Sequence, residues 1–142
     1  MENRSSLLYS ALIFSAILYF LHVMANIFSL YWIYWWYDYM MHFVAGLAGG
    51  LSTYWVLFHS GFWRRQTDAI LLPVLSVVIC LMIVGVAWEI FEYKNGITDA
   101  HESYYTLDVI HDLVMDFAGA LAAACIGVRE TFFRRRSQRN LK

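Results

Sequence analysis

Ionisable side chains recur at helical spacings within segments that are otherwise apolar enough to lie in a membrane. Six carboxylates and one histidine form this set: Asp38, His42, Glu89, Glu92, Asp108, Asp112 and Asp116. A charged side chain in hydrocarbon is costly, so such residues normally line a cavity, pair with a partner or serve transport or catalysis. Carboxylate oxygens and imidazole nitrogens are ligands of Mg²⁺, Mn²⁺, Fe²⁺ and Zn²⁺. The set therefore indicates a divalent metal site.

The spacings within the set place its members on shared helix faces, because residues three or four apart are neighbours on a helix surface. Three groups have this spacing: Asp38 with His42, Glu89 with Glu92, and Asp108 with Asp112 and Asp116. Like charges so placed repel one another, and more strongly where the dielectric is low. Other interactions must therefore offset the repulsion between these carboxylates. The first helix adds His22 and Asn26, again four residues apart.

The set allows specific roles to be assigned to its members. We predict six metal ligands: Asp38, His42, Glu89, Glu92, Asp112 and Asp116. Either Glu89 or Asp108 is the predicted general base that acts on a metal-activated water. The sequence does not choose between Zn, Mn, Fe and Mg. Two other interpretations stay open: a proton or cation pathway, and a structural role in which protonated carboxyls and helix caps hold the helices together.

Four long apolar blocks must position these side chains. The chain has 142 residues, and 61% of them are hydrophobic, which is too apolar for an ordinary soluble domain. Each block has the length of about 20 residues that crosses roughly 30 Å of hydrocarbon as a helix. The predicted spans are residues 7–30, 38–58, 69–93 and 107–128, and they do not alternate with the period of a strand. We predict an all-α four-helix transmembrane bundle that forms one domain over residues 1–142, with Cys80 and Cys125 buried and inert.

Basic residues are distributed unequally between the two sides of such a bundle. Nine of the ten lie at the N-terminus, in the second loop or in the C-terminal tail, and only Lys94 lies on the other side. By the positive-inside rule, both termini are predicted to be cytoplasmic in the cell inner membrane, with the ionisable set in the external half. We expect membrane lipids as partners. The tail at Arg134–Arg136 is predicted to contact lipid headgroups rather than nucleic acid.

Aromatic residues indicate where the bundle meets the membrane surface, and small residues indicate where its helices pack closely. Tyrosines and tryptophans crowd the first loop, residues 31–39, where an interfacial belt belongs. Gly46 follows His42 by one turn, and Gly119 lies just beyond Asp116. Small residues let transmembrane helices approach closely. We therefore expect the second and fourth helices to pack tightly, with their polar groups turned into the bundle.

The motifs together resemble those of a known group of proteins. In order, they are Asp38-x-x-x-His42, Glu89-x-x-Glu92 and Asp108-x-x-x-Asp112-x-x-x-Asp116-x-x-Gly119. This order is similar to that of the small bacterial VanZ-like and YjdF-like integral membrane proteins, over the second to fourth predicted helices. The VanZ pattern often has Gln at the second glutamate and Asn at the position of Asp116, so the extra acids favour the YjdF-like branch. The resemblance implies a small multi-span protein of the cell membrane.

Two classes of function follow from these predictions. The leading one is a metal-dependent enzyme that acts on a lipid-linked substrate of the cell envelope from the external leaflet. The alternative is a transporter or channel subunit for protons or divalent cations, which four helices would form as a homo-oligomer. A transport path requires polar residues toward the cytoplasmic side, where these helices are almost purely apolar. A structural accessory protein is a third class. The loop at residues 94–106 is either a lid over the external mouth or a solvated connection.

Overall fold

The computed structural model describes residues 5–61, 69–97 and 104–139, and over these ranges the chain is helical without any strand. The helices are α1 (Ser5–Phe28), α2 (Leu30–Ile33), α3 (Tyr37–Phe58), α4 (Leu71–Asn95) and α5 (Tyr105–Arg139). All except the short α2 are long and apolar enough to cross a membrane. The prediction of an all-α fold with four candidate spans is therefore confirmed. Residues 98–103 of the loop predicted as a lid or connection lie outside the described residues, as do Arg4, Arg64, Arg65 and Lys142.

The first and last helices end differently from the predicted spans, and α4 ends two residues later than predicted, at Asn95. α1 ends at Phe28 because Ser29 has a φ of 56°, in the left-handed region, where a right-handed helix cannot continue. The chain turns there, and the following aromatic residues form α2. At the other end of the protein, α5 continues to Arg139, well beyond residue 128. The basic tail therefore begins as an extension of the last span.

The central contact of the bundle is between α3 and α5, with α1 packed on α3 and α4 packed on α5. The two central helices approach so closely that a β-carbon added at Gly46 would meet the backbone carbonyl of Asp116. One added at Gly119 would meet the backbone carbonyl of Phe43 and the amide of Leu47. Backbone atoms cannot move aside as side chains can. Glycine is therefore required at this crossing, as the small residues of both helices predict.

Apolar side chains fill the half of the bundle that lies beyond this crossing. Its buried core consists of Leu7, Ala11, Leu47, Leu51, Tyr54, Val77, Leu81, Ala120, Ala123 and Ala124. Tyr54 closes the far end, where its hydroxyl lies 3.0 Å from Oγ1 of Thr131. The outward faces of the helices are apolar too. The prediction that Cys80 and Cys125 are buried is wrong, since both are exposed, because a lipid-facing helix surface is as apolar as a core-facing one.

The C-terminal end of α4 provides a test of this backbone geometry. Gly96 follows the helix with a φ of 63°, and a β-carbon added there would meet nothing within 4 Å. We expect Gly96→Ala to lower the free energy of unfolding by about 1 kcal/mol, because a β-carbon opposes the left-handed conformation. Thermal unfolding in detergent measures the change. Gly96→Asn should keep more of the stability, since asparagine tolerates this conformation, and equal midpoints for all three proteins would contradict the assignment.

Candidate metal centre

Polar side chains from three helices converge at the end of the bundle where α3 and α5 begin and α4 ends. α3 contributes Asp38 and His42, α4 contributes Glu89 and Glu92, and α5 contributes Asp108, Asp112 and Asp116. Each pair or triplet lies on one helix face because of its spacing. The glycine crossing of α3 and α5 lies one turn below, so the polar turns of the two helices face each other directly. Of the set, Asp38, Asp112 and Asp116 each lie within 4.0 Å of the imidazole of His42.

His42 is the centre of this group. Its Nε2 lies 3.9 Å from Oδ1 of Asp38 and 4.0 Å from Oδ1 of Asp112. Its Nδ1 lies 3.4 Å from Oδ1 of Asp116. His42, Asp112 and Asp116 are 7%, 2% and 6% exposed, whereas Asp38 is half-buried at the open end. The two nitrogens of one buried imidazole thus face different carboxylates.

Asp38, His42 and Asp112 can hold one metal ion. Each offers a ligand atom, and these atoms all lie within 4.8 Å of one another. Ligands on one Zn²⁺-sized ion, each roughly 2.1 Å from it, lie at most about 4.2 Å apart, so a small contraction would close the site. Oδ1 of Asp112 is buried without a hydrogen-bond partner in the described ranges. A buried carboxylate oxygen without a partner is unfavourable, and a cation at this position would compensate it.

Glu89 is the buried acid of α4 at the same end of the bundle. It is 7% exposed, and its Oε1 is likewise buried without a partner among the described residues. Its carboxylate interacts electrostatically with His42 and Asp116. It is not part of the three-residue group, although its charge reaches that group. Glu89 is therefore a buried, unpaired carboxylate beside the candidate metal centre.

Glu92 and Asp108 lie farther out, toward the open end. Both are half-buried, and both interact electrostatically with Asp38. Asp108 also interacts with Asp112, one turn along its own helix. Of the six predicted ligands, three form the compact group, while Glu89, Glu92 and Asp116 surround it. The roles of these surrounding acids stay predictions.

Gly85 makes room for Asp116. A β-carbon added at Gly85 would lie 2.5 Å from Oδ2 of Asp116 and 3.3 Å from Cδ2 of Leu113. One oxygen of Asp116 therefore faces His42 while the other points at the bare backbone of α4. The carboxylate is fixed between the two helices. It can thus hold the orientation of the imidazole.

This contact leads to a prediction about Gly85. We expect Gly85→Ala to weaken divalent metal binding by about tenfold, because the added methyl displaces the carboxylate that orients His42. The fold should persist, since alanine is favoured over glycine inside a helix. A competition titration with a fluorescent chelator measures the affinity. Gly49→Ala is the matched control, because its added β-carbon would meet only the side chain of Leu81; equal affinities for both variants would contradict the role of Gly85.

Tyr31 has contacts that its place in the predicted interfacial belt does not indicate. Tyr31 of α2 places its hydroxyl 3.0 Å from Nδ1 of His22, and it interacts electrostatically with Asp38 and Glu92. The pair His22 and Asn26 is visible in the sequence as a polar helix face. The contact between His22 and Tyr31 joins residues on either side of the turn at Ser29. Helical spacing does not continue through that turn, so residue spacing could not predict this contact.

Comparison with known proteins places the chain in a family. Residues 2–131 match the model of a family described as "Predicted membrane protein (DUF2238)". The match includes every residue of the candidate metal centre and all but the end of the last candidate span. No curated protein and no solved structure matches the chain. The chain, with four candidate membrane spans, therefore belongs to the DUF2238 family of predicted membrane proteins and is a multi-pass membrane protein.

Proposed function

We propose that this protein is a metal-dependent membrane enzyme whose divalent ion is held by Asp38, His42 and Asp112. The observation that carries the proposal is the grouping of one imidazole and two carboxylates whose ligand atoms lie within 4.8 Å of one another. One of these carboxylates, Asp112, has a buried oxygen without a hydrogen-bond partner in the described part of the chain. Three protein ligands leave coordination positions open, as in catalytic metal sites. The imidazole favours Zn²⁺, Mn²⁺ or Fe²⁺ over Mg²⁺, which prefers oxygen ligands and water.

The surrounding acids have distinct proposed roles. A divalent ion in such a site acts as a Lewis acid and lowers the pKa of a bound water. Asp116 accepts a hydrogen bond from Nδ1 of His42 and so directs Nε2 toward Asp38 and Asp112. Glu89 is the proposed general base, because its buried oxygen has no partner among the described residues and is free to accept a proton. Asp108 is half-buried and farther out, which makes it the weaker candidate for this role.

The apolar half of the bundle favours an enzyme over a transporter. Beyond Gly46 and Gly119 the described core contains aliphatic side chains together with Tyr54. A proton or cation path through one chain would need polar groups or water at that depth. The site therefore opens toward one end of the bundle only. This arrangement suits chemistry at one membrane surface.

The proposed substrate and its side of the membrane rest on the predicted orientation of the helices. We propose that both termini are cytoplasmic, so that the metal centre faces the non-cytoplasmic side of the plasma membrane. A site near the headgroup level fits a lipid-linked substrate of the cell envelope, such as a phospholipid or a polyprenyl carrier. The resemblance to VanZ-like and YjdF-like proteins supports a cell-envelope role. A C-terminal fusion to a reporter that is active only in the cytoplasm tests the orientation.

Turnover and ion flux in liposomes test the proposed enzyme. Metal-loaded protein in liposomes is expected to release a soluble headgroup from a lipid-linked substrate, in a reaction abolished by chelators. Glu89→Gln should lower the rate by at least about a hundredfold, the scale of general-base catalysis, while still binding metal. Tyr34→Phe is a control, since Tyr34 is exposed outside the metal centre. Divalent-ion flux across the liposomes without headgroup release would contradict the enzyme and support the transporter.

A further inference from the structure

A chain of hydrogen bonds leads from α1 to Tyr31 of α2. The side-chain nitrogen of Asn26 lies 2.8 Å from the backbone carbonyl of His22 and 3.2 Å from Nε2 of the same residue. Nδ1 of His22 lies 3.0 Å from the hydroxyl of Tyr31. None of these three residues is used by the metal-binding group. Their arrangement nevertheless determines whether the hydroxyl proton of Tyr31 is available to another acceptor.

The chemistry of the donors fixes the direction of this chain. A backbone carbonyl only accepts, so the atom of Asn26 that faces it must be the amide nitrogen. The second hydrogen of that nitrogen is donated to Nε2 of His22, which therefore accepts. A neutral imidazole carries its proton on the other nitrogen, so Nδ1–H donates to the oxygen of Tyr31. The hydroxyl proton of Tyr31 is then not used by His22.

The fold packs Tyr31 against Tyr37, at the start of the helix that carries Asp38. The left-handed turn at Ser29 returns the chain over α1, and the ring of Tyr31 packs edge-on against Tyr37 with centroids 5.4 Å apart. Tyr37 is fixed in turn by a 3.0 Å hydrogen bond from its hydroxyl to the carbonyl of Leu21. In the described ranges, the hydroxyl of Tyr31 has no hydrogen-bond partner besides His22.

The charges around Tyr31 keep its hydroxyl protonated. Burial, together with the carboxylate of Asp38, the neighbouring Tyr37 and the carboxylate of Glu92, raises the pKa of Tyr31 to about 12. The hydroxyl is therefore neutral and able to donate at physiological pH. The proton of this hydroxyl disfavours a cation beside it. It matches an anionic oxygen that is attracted by a neighbouring metal ion.

We propose that the Tyr31 hydroxyl donates a hydrogen bond to a phosphoryl oxygen of the substrate at the mouth of the metal centre. This inference rests on the proposed metal-dependent function and specifies its substrate as a phosphate-bearing molecule. His22 and Asn26 are positioning residues, because they occupy the acceptor side of the hydroxyl and leave its proton for the ligand. The ion and the hydroxyl together bind one phosphoryl group from two directions.

Binding of inorganic phosphate to the full-length, metal-loaded protein in mild detergent tests this inference. We expect Tyr31→Phe to weaken phosphate binding by about tenfold or more, since it removes one hydrogen bond to a charged group. Its affinity for the metal should stay unchanged within about twofold, because the hydroxyl is not one of the three ligands. Asn26→Leu should have a smaller effect in the same direction, because His22 can then adopt either tautomer. Phosphorus NMR titration gives the affinities.

Tyr34→Phe is the matched control, since Tyr34 lies just after α2 and is exposed. Unchanged phosphate binding in metal-loaded Tyr31→Phe would overturn the inference while leaving the proposed function intact. Metal-loaded wild-type protein that binds no phosphate would also overturn the inference alone. Loss of metal from Tyr31→Phe would place Tyr31 in the metal site instead and overturn its role as a phosphate donor. Wild-type protein that binds no metal would remove both the proposed function and this inference.

Discussion

Wild-type protein purified with Zn²⁺, Mn²⁺ and Fe²⁺ supplied is expected to carry about one equivalent of divalent metal, and Asp112→Asn to carry almost none. Asp112 is 2% exposed, and its Oδ1 is buried without a partner among the described residues. The substitution keeps the shape of the side chain but removes a charged ligand. The expected loss of affinity exceeds about a hundredfold, the upper range for residues that only support a ligand. Mass spectrometry of bound metals measures the content.

The adjacent histidine is a control for this substitution. His111 is exposed, and its ring packs on Tyr39 with centroids 5.3 Å apart, outside the metal-binding group. His111→Gln should therefore retain the metal. Wild-type protein without stoichiometric metal would contradict the proposed function directly.

The unfolding midpoints of metal-free wild-type protein and of Asp112→Asn distinguish a metal site from a cluster of acids with a purely structural role. If Asp112 serves a metal ion, the metal-free wild-type protein contains a buried carboxylate oxygen that has no hydrogen-bond partner among the described residues and lies 4.0 Å from Nε2 of His42. Replacing that carboxylate by an amide should then leave the metal-free midpoint unchanged or raise it. Added metal should raise the midpoint of wild-type protein and not that of Asp112→Asn. A lower metal-free midpoint for the variant would support the structural alternative.

Gly119→Ala is expected to lower the free energy of unfolding by about 1–3 kcal/mol or more, the range for inserting atoms into a packed core. A methyl group at this position would meet the carbonyl of Phe43 and the amide of Leu47. Both are backbone atoms of α3, so the steric clash can be removed only if the two central helices move apart. His42 of α3 and Asp116 of α5 face each other about one turn away from this crossing. Metal content should therefore fall together with the unfolding midpoint.

Gly49→Ala provides the comparison in the same bundle. Its added methyl would meet the end of the Leu81 side chain at 2.8 Å, and a flexible side chain can move aside. We expect this variant to keep both its unfolding midpoint and its metal. A Gly119→Ala variant as stable as Gly49→Ala would show that the helix crossing tolerates a side chain. The close approach of α3 and α5 would then be refuted.

Local patterns predicted the elements and the faces that carry the ionisable groups. The lengths of the apolar blocks indicate four membrane helices, because the thickness of hydrocarbon sets a minimum length. The spacing of Asp112 and Asp116 indicates a shared face, because helix geometry repeats within one turn. Gly46 and Gly119 indicate where two such faces meet. Each of these inferences depends on nearest neighbours along one helix.

Local patterns could not show which of these groups lie within reach of one ion. That depends on the axial offset and rotation of α3, α4 and α5, which are fixed by packing between residues distant in sequence. The structure groups His42 with Asp38 and Asp112 and places Asp116 at the other imidazole nitrogen. In the sequence, these acids are equivalent.

The sequence by itself determined the membrane helices, the polar face of each and the concentration of acids near one end of the bundle, because hydrophobicity and helical period are local properties. The tertiary structure alone decided which three side chains surround one point and that Tyr31 returns over α1 to meet His22. This return depends on a left-handed residue at Ser29 and on the packing of Tyr31 against Tyr37. Neither feature follows the period of a helix, because both occur where the chain breaks between two helices. Residue spacing therefore could not predict them.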